Sequence, residues 1–239
     1  MVEGAHTHAE ELERIGRCDF WSNVKVELIL GLVEGRDVLD VGCGACLLSK
    51  MLLEKSYNVT AIDIDGKALE IAKKKGIMGF TADINSWETN EKFDCVIAAD
   101  VLEHIDDDRC AIRRIYNLLK PNGCLILNVP SYKFLFGKHD FSLGHKRRYS
   151  DSELKTKLEE SGFKVEYQRH WNLLALPTTI ILTEILRKDY PHERISKLGP
   201  LSRTLEKLLL LESKVNHLFG ISILCKARKQ FDPNELDLA

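Results

Sequence analysis

The sequence has no excess of charge of one sign, no even set of cysteines and no apolar run long enough to cross a bilayer. Its 34 basic and 36 acidic side chains leave a net charge of −2, which excludes the basic field that nucleic-acid binding usually needs. The cysteines are Cys18, Cys43, Cys46, Cys95, Cys110, Cys124 and Cys225, an odd and scattered set that argues against a disulfide framework. Cys95, Cys124 and Cys225 sit in apolar runs and read as reduced core residues. Cys43 and Cys46 form a C-x-x-C, but a zinc site wants a second pair and none exists. No metal is therefore read; one of these thiols is expected to fill a turn and the other to pack under a helix. The N-terminus lacks a charged-then-apolar signal pattern, so a cytoplasmic setting is the expectation. The longest uncharged run, Trp171 to Thr183, contains Pro177 and stops at Glu184. It is short of the roughly 20 apolar residues of a span. There is no internal repeat, and the polar end 231–239 reads as frayed.

What is present is ordinary globular composition and a regular alternation of elements. Hydrophobic residues make up 44% of 239 residues and charged residues 29%, enough for one good core. Helices are expected at 7–16 and 22–34, joined near Phe20 and Trp21. Strand one (37–41) precedes a helix at 45–55, and strand two (58–63) a helix at 66–75. Strand three lies near 79–83. Phe93 to Ala99 is continuously apolar, as in a strand buried on both faces. A helix follows at 107–119, then a turn at Pro121-Asn122-Gly123, strand five (124–129), a helix at 150–161 capped by Ser150, and strand six (164–170). The last strand is 221–227. Such alternation argues a doubly wound α/β sheet, with ligands outside the carboxyl ends of the strands where the order reverses.

Between strands six and seven lies an insertion, 172–220. Leu201, Leu205, Leu208, Leu209, Glu212, Val215 and Phe219 roughly keep helical spacing. It reads either as a helical hairpin packed on the sheet edge or as a lid and apolar surface in peripheral contact with a membrane.

The chemistry concentrates at strand ends. Val38-Leu39-Asp40-Val41-Gly42-Cys43-Gly44 reads as a buried strand running into a tight turn whose glycines let backbone approach a ligand. Asp63, at the end of strand two, is placed to accept both hydroxyls of a ribose. A dinucleotide fingerprint needs a third glycine where Leu47 stands, so a nicotinamide oxidoreductase is a remote alternative. S-adenosylmethionine has no phosphate and fits better. Its candidate neighbours are Asp40, Gly42, Cys43 and Gly44 at strand one, Asp63 and Ile64 at strand two, and Asp83 and Ile84 at strand three, where Asp83 is set to accept from the adenine amino group. At strand four Ala99 and Asp100 offer a backbone carbonyl to the ammonium.

These stretches resemble the class I S-adenosylmethionine-dependent methyltransferases. VLDVGCGACLLSKML resembles the first motif of that family, VTAIDID its ribose-binding motif, FDCVIAADVLEHIDD its fourth-strand motif in the small-molecule branch, and LLKPNGCLILNVP its fifth-strand motif. That branch includes the ubiquinone-biosynthesis O-methyltransferases. The resemblance implies one domain over 1–239 with a Rossmann-like, seven-stranded, mostly parallel sheet and an antiparallel last strand. Its parts would be a helical cap (1–36), a cofactor-binding core (37–171), the insertion (172–220) and the last strand (221–230). DFWSNVKVELIL is similar to an F-W-x-x-x-[RK] segment in which an aromatic pair covers the cofactor and a cation reaches its carboxylate. The matching residues are Phe20, Trp21 and Lys25; lysine cannot supply a bidentate clamp, and Trp21 equally reads as a packing aromatic.

The acceptor side reads from residues 131–149, expected as a long loop after strand five. It holds His139, Asp140 and Gly144-His145-Lys146-Arg147-Arg148-Tyr149 and resembles an H-D-x-x-x-G-H-x-R-R-Y segment of methyltransferases associated with cell-envelope sugar and lipid genes. An oxygen acceptor must lose its proton, a task suited to imidazole. His139, His145 and, after strand four, His104 are the catalytic candidates; His104 also reads as a helix-start residue beneath the cofactor. Arg147, Arg148 and Tyr149 are the acceptor-binding candidates, the alternative being a solvated basic turn. No Asn-Pro-Pro-Tyr follows strand four, which disfavours planar amide or base nitrogens as acceptors. The expected function is methyl transfer to a small-molecule, lipid- or sugar-linked acceptor, at oxygen. The competing reading is a cofactor-binding module without turnover that serves as a regulator or partner.

Overall fold

The computed structural model describes residues 20–180, 200–212 and 219–230. The expected helix at 7–16, Cys18, Val215 and the end 231–239 lie outside the described residues. The strands alternate in what they face. In β1 (Asp37–Val41) Val38 joins one apolar cluster while Leu39 and Val41 join another. β4 (Phe93–Ala99) divides Cys95 and Ile97 from Val96 and Ala98 in the same way, and β5 (Leu119–Pro130) divides Cys124 and Ile126 from Leu125 and Leu127. A sheet apolar on both faces must be covered on both, which is why the chain winds doubly. α1 (Phe20–Leu30), α2 (Leu47–Glu54) and α3 (Gly66–Lys74) cover the first face. α4 (Asp108–Leu118) and α6 (Asp151–Glu160) cover the second.

With β2 (Asn58–Asp63), β3 (Met78–Thr81), β6 (Phe163–Trp171) and β7 (Ser222–Lys229), the sheet has seven strands in the order β3-β2-β1-β4-β5-β7-β6. β1 pairs in parallel with both β2 and β4, whereas β7 runs antiparallel to β5 and β6. The order reverses between β1 and β4, so the crevice lies at their carboxyl ends. β1, β2 and β4 span the expected residues. Three helices start on side-chain caps: Asp65 accepts from Lys67 N at 2.9 Å, Asp107 from Cys110 N at 2.9 Å and Ser150 from Glu153 N at 3.3 Å.

Three expectations are corrected. The helix expected at 22–34 is Phe20–Leu30. Pro121-Asn122-Gly123 lies within β5 rather than ahead of it: the register jumps from Phe93↔Leu119 to Cys95↔Cys124, and Asn122 takes φ +60°, so the turn is a bulge in one ladder. The stretch 131–149 is no open loop. It contains a 3-10 turn (Lys133–Leu135) and the short helix α5 (Lys138–Leu143), and Ser131 bridges to Tyr149.

Of the insertion, α7 (Leu176–Ile180) and α8 (Pro200–Glu212) are described. α8 packs on α1, with Leu209 buried and Leu208 and Leu211 facing outward. The carboxylate of Glu212 accepts from the backbone N–H groups of Leu173 (2.5 Å) and Leu174 (3.2 Å) and so ties the insertion to the end of β6. Among the described residues no helix is long and apolar enough to cross a membrane.

Candidate active site

The turn after β1 is built by backbone. Gly42 has φ +70°, and a Cβ there would stand 2.5 Å from Val101 Cγ2, so a side chain is excluded. The N–H groups of Gly42 (2.8 Å) and Cys43 (3.2 Å) both bond Ile62 O, and Gly44 N donates to Asp63 Oδ2 at 2.9 Å. Asp63 Oδ1 accepts from Asp65 N at 2.9 Å. The acid expected for a ribose therefore also pins the glycine turn to the end of β2. Asp40 is buried, takes a hydrogen bond from Ser49 Oγ and lines the cavity. Burial, then the nearby charge of Asp63, raises its pKa from 3.8 to about 6 against the opposing Ser49 hydrogen bond. Cys43 and Cys46 are both buried free thiols, with Cys46 at φ +56° just ahead of α2.

Across the crevice stands a polar chain of side chains. Lys25 pairs with Asp100 Oδ2, Asn128 Nδ2 donates to Asp100 Oδ1 at 2.6 Å, and Trp171 Nε1 donates to Asn128 Oδ1 at 2.8 Å. Trp21 Nε1 donates to Asn172 Oδ1 at 3.0 Å. Asp100 and Asn172 hold left-handed backbone, φ +58° and +64°, a strain that tends to collect at functional sites. Burial pushes the Asp100 carboxyl up, but the charge and hydrogen bond of Lys25 and the Asn128 amide outweigh it, so its pKa is lowered.

The third wall comes from residues 103–104 and 139–148. Asp140 is fully buried. Its Oδ1 accepts from Arg148 Nε at 2.8 Å and meets His145 Nδ1 at 3.0 Å, and its Oδ2 accepts from Gly137 N at 2.9 Å. Burial raises its pKa; the His145 and Arg148 hydrogen bonds override that and take it to about 2. With Nδ1 toward the carboxylate, His145 presents Nε2 for other partners. Its ring meets His104 edge to face, centroids 4.7 Å apart, and Lys146 N donates to Glu103 O at 2.8 Å, drawing the segment onto the turn after β4.

These walls enclose one cavity of about 440 Å³, within the size range of small-molecule sites. It brings together Trp21, Lys25, Asp40, Gly42, Cys43, Gly44, Ala99, Asp100, His104, His139, His145 and Arg148. The other expected cofactor residues are absent from its lining. Asp63 stands behind the turn, Ile64 is 77% exposed, Asp83 accepts from Asn85 N at 2.9 Å, and Ile84 is in the core. Two acceptor candidates lie outside the lining. Tyr149 is buried away from the cavity, its hydroxyl donating to Asp108 Oδ2 at 2.8 Å. Arg147 reaches Asp106 O (2.7 Å) and Asp108 Oδ1 (3.2 Å). The basic run is thus a set of counterions for carboxylates, and only Arg148 borders the cavity. Glu103, Asn128, Trp171 and Asn172 also line the cavity and were not anticipated. A polar residue within an apolar strand run was the available signal for Asn128, and adjacency to His104 was the signal for Glu103.

The donor set fits an S-adenosylmethionine molecule. A cation and an anion, Lys25 and Asp100, line the cavity and carry the charges opposite to those of an α-amino acid end. Residues 39–127 match the family described as Methyltransferase domain. The ubiquinone biosynthesis O-methyltransferase of Bordetella avium is 32% identical over 122 residues, covering 46% of this chain and 51% of that protein. The chain thus spans about half the length of the curated relatives it matches. Among solved structures, N-methyltransferase NodS from Bradyrhizobium japonicum, in complex with S-adenosyl-L-homocysteine, has TM-score 0.55 and 17% identity, covering 92% of this chain and 87% of NodS. The S-adenosylmethionine dependent methyltransferase from Mesorhizobium loti has TM-score 0.61 and 15% identity, covering 87% and 99%. At such identities these structures speak to the fold alone. The family match over residues 39–127, inside a sheet of this order and at a glycine turn pinned by its acid, supports a class I S-adenosylmethionine-dependent methyltransferase.

Proposed function

We propose that this chain transfers the methyl group of S-adenosylmethionine to a hydroxyl oxygen of a small-molecule acceptor carried on a lipid or sugar. The single observation that carries the reading is the meeting, in one cavity, of the glycine turn with a histidine wall backed by a buried carboxylate, Asp140. The curated relatives named for ubiquinone biosynthesis act on oxygen by name, which supports the same atom. Apolar side chains exposed on the 131–149 segment, Phe134 at 63% and Phe141 at 71%, support an acceptor with an apolar part. The six cysteines among the described residues are free thiols, which supports a reducing, cytoplasmic setting.

When bound, S-adenosylmethionine supplies a methyl on a sulfonium that is displaced in line. The protein's part is to position and dry the site. Lys25 and Asp100 exchange each other for the carboxylate and ammonium of the amino-acid end, while Asp63 and the Gly42–Gly44 turn hold the nucleoside side. Trp21 closes over the crevice from α1. The wall of Glu103, His104 and His145 receives the acceptor hydroxyl and makes its ionisation easier.

A methyl-release assay over paired hydroxyl and amine acceptors, lipid-linked and free, tests the reading. Turnover on hydroxyl acceptors is expected. Turnover on amines alone, or cofactor binding with no turnover on any acceptor, contradicts it.

A further inference from the structure

The sheet ends on an unguarded edge. β3 is the outermost strand of the order, and its one described strand neighbour is β2. Its outer row of backbone N–H and C=O groups is a template for another strand. Soluble proteins block such edges with lysine, proline or a bulge. Met78-Gly79-Phe80-Thr81 has none of these. Met78 is 53% exposed and Phe80 44%, two apolar side chains on one face of the strand. The Phe80 ring lies against Trp87, centroids 6.0 Å apart. On the other face Gly79 lets α3 settle onto the strand: a Cβ there would stand 2.4 Å from Leu69 Cδ1 and 3.6 Å from Ala72 Cβ. A groove follows this edge, walled by Glu70 and Lys73 of α3 and by Met78 of β3. Glu70 and Lys73 are exposed, and neither has an ion-pair partner among the described residues.

We propose that this edge pairs with the same edge of a second copy of the chain, antiparallel and with Gly79 opposite Gly79 across a two-fold axis. An isologous contact needs a surface that complements itself, and this edge does so on both faces. The register sets Met78 opposite Phe80 of the second copy, and Phe80 opposite its Met78. That gives a cross-strand pair of thioether and ring on each side of the axis. On the helix face, Leu69 and Ala72 are level with Gly79, so the axis passes α3 between them, beside Glu70. Each Lys73 then lies within one helical turn, about 5.4 Å along the helix, of Glu70 of the second copy. The two unpaired charges of one copy meet opposite charges on the other.

The helices also have room. α3 rests on both β2 and β3, so its axis lies inside the edge. Paired strands stand about 4.8 Å apart, which brings the two α3 axes to roughly twice that separation, inside the range of about 8–10 Å for packed helices. Strand pairing and helix packing are therefore met together. The contact uses none of the residues that line the cavity and is independent of the methyl-transfer reading.

Sedimentation velocity of the full-length chain over a dilution series is the test. Wild type is expected as a dimer that dissociates reversibly on dilution. Phe80→Lys puts a charge on the edge and should leave monomer at every concentration. Glu70→Lys brings four lysines together and should weaken the dimer by about tenfold or more. The double variant Glu70→Lys/Lys73→Glu restores the alternation of charge and should return the dissociation constant to near the wild-type value. Unchanged far-ultraviolet dichroism and adenosylhomocysteine binding show that each variant is folded. A wild type that stays monomeric throughout leaves the edge to some other strand and overturns the proposal. A dimer unmoved by Phe80→Lys and Glu70→Lys lies on another face and overturns it too. A double variant no tighter than Glu70→Lys excludes this register.

Discussion

The two halves of the cavity are held by different means. The cofactor half is local and mostly backbone: the turn after β1 bonds Ile62 O and Asp63, all within about 20 residues of sequence. The acceptor half is held by side chains and is ionic: Asp140 gathers Gly137, His145 and Arg148, and Arg148 Nη1 reaches Ser131 O at 3.2 Å. A backbone turn survives substitution of any side chain that does not crowd it. A buried ion network fails when one partner goes, because the remaining charge stays buried and unpaired. The cofactor half should therefore be the robust one and the acceptor half the brittle one.

The contrast is broken most severely at Asp140. Asp140→Asn strips the counterion from Arg148 and the orienting partner from His145, and should cost about 3 kcal/mol or more of stability, read from urea unfolding. A loss under 1 kcal/mol would make the two halves equally tolerant. Next in size is Asp40→Asn on the cofactor side. The folded Asp40 carboxyl binds its proton more tightly than the unfolded one, with a pKa raised from 3.8 to about 6. Its contribution to stability is complete below about pH 4 and is lost as the pH rises through 6. The asparagine variant avoids that loss. It should melt with wild type at pH 4 and be more stable at pH 7.5, by at most about 3 kcal/mol, while binding cofactor less well. Equal melting at both pH values would mean that the burial cost is relieved elsewhere.

Sequence patterns reported the cofactor half well because its devices are short in sequence. Glycines at a strand end and an acid at the next strand end are chemistry at fixed spacing, and β1, β2 and β4 lay where their apolar runs put them. The acceptor half was half legible. His139, His145 and His104 do line the cavity. The fates of Arg147 and Tyr149 were hidden because their partners, Asp106 and Asp108, lie about 40 residues away and nothing local marks them as counterions. Asp63 was read for the ribose alone, since its bond to Gly44 exists only once β1 and β2 pair.

Smaller effects sharpen the comparison. His139→Ala removes a lining group that is not held by Asp140, and should change KM several-fold with kcat nearly kept. His145→Gln should lower kcat by about 10²-fold or more. Similar kcat losses in both would erase the distinction between the two histidines. Smallest is Lys146→Ala, whose exposed pair with Asp106 should contribute no more than about 1 kcal/mol and leave turnover at the wild-type level.

The most direct test of the central claim, that the turn after β1 and Asp63 together hold an adenosyl group, is calorimetry with S-adenosylhomocysteine on wild type and Asp63→Ala. One-to-one binding in wild type, weakened about 10- to 100-fold in the variant by loss of hydrogen bonds to a charged acceptor of about 1.5–3 kcal/mol, is the expected result. No heat with wild type, or the same affinity in the variant, would contradict the account.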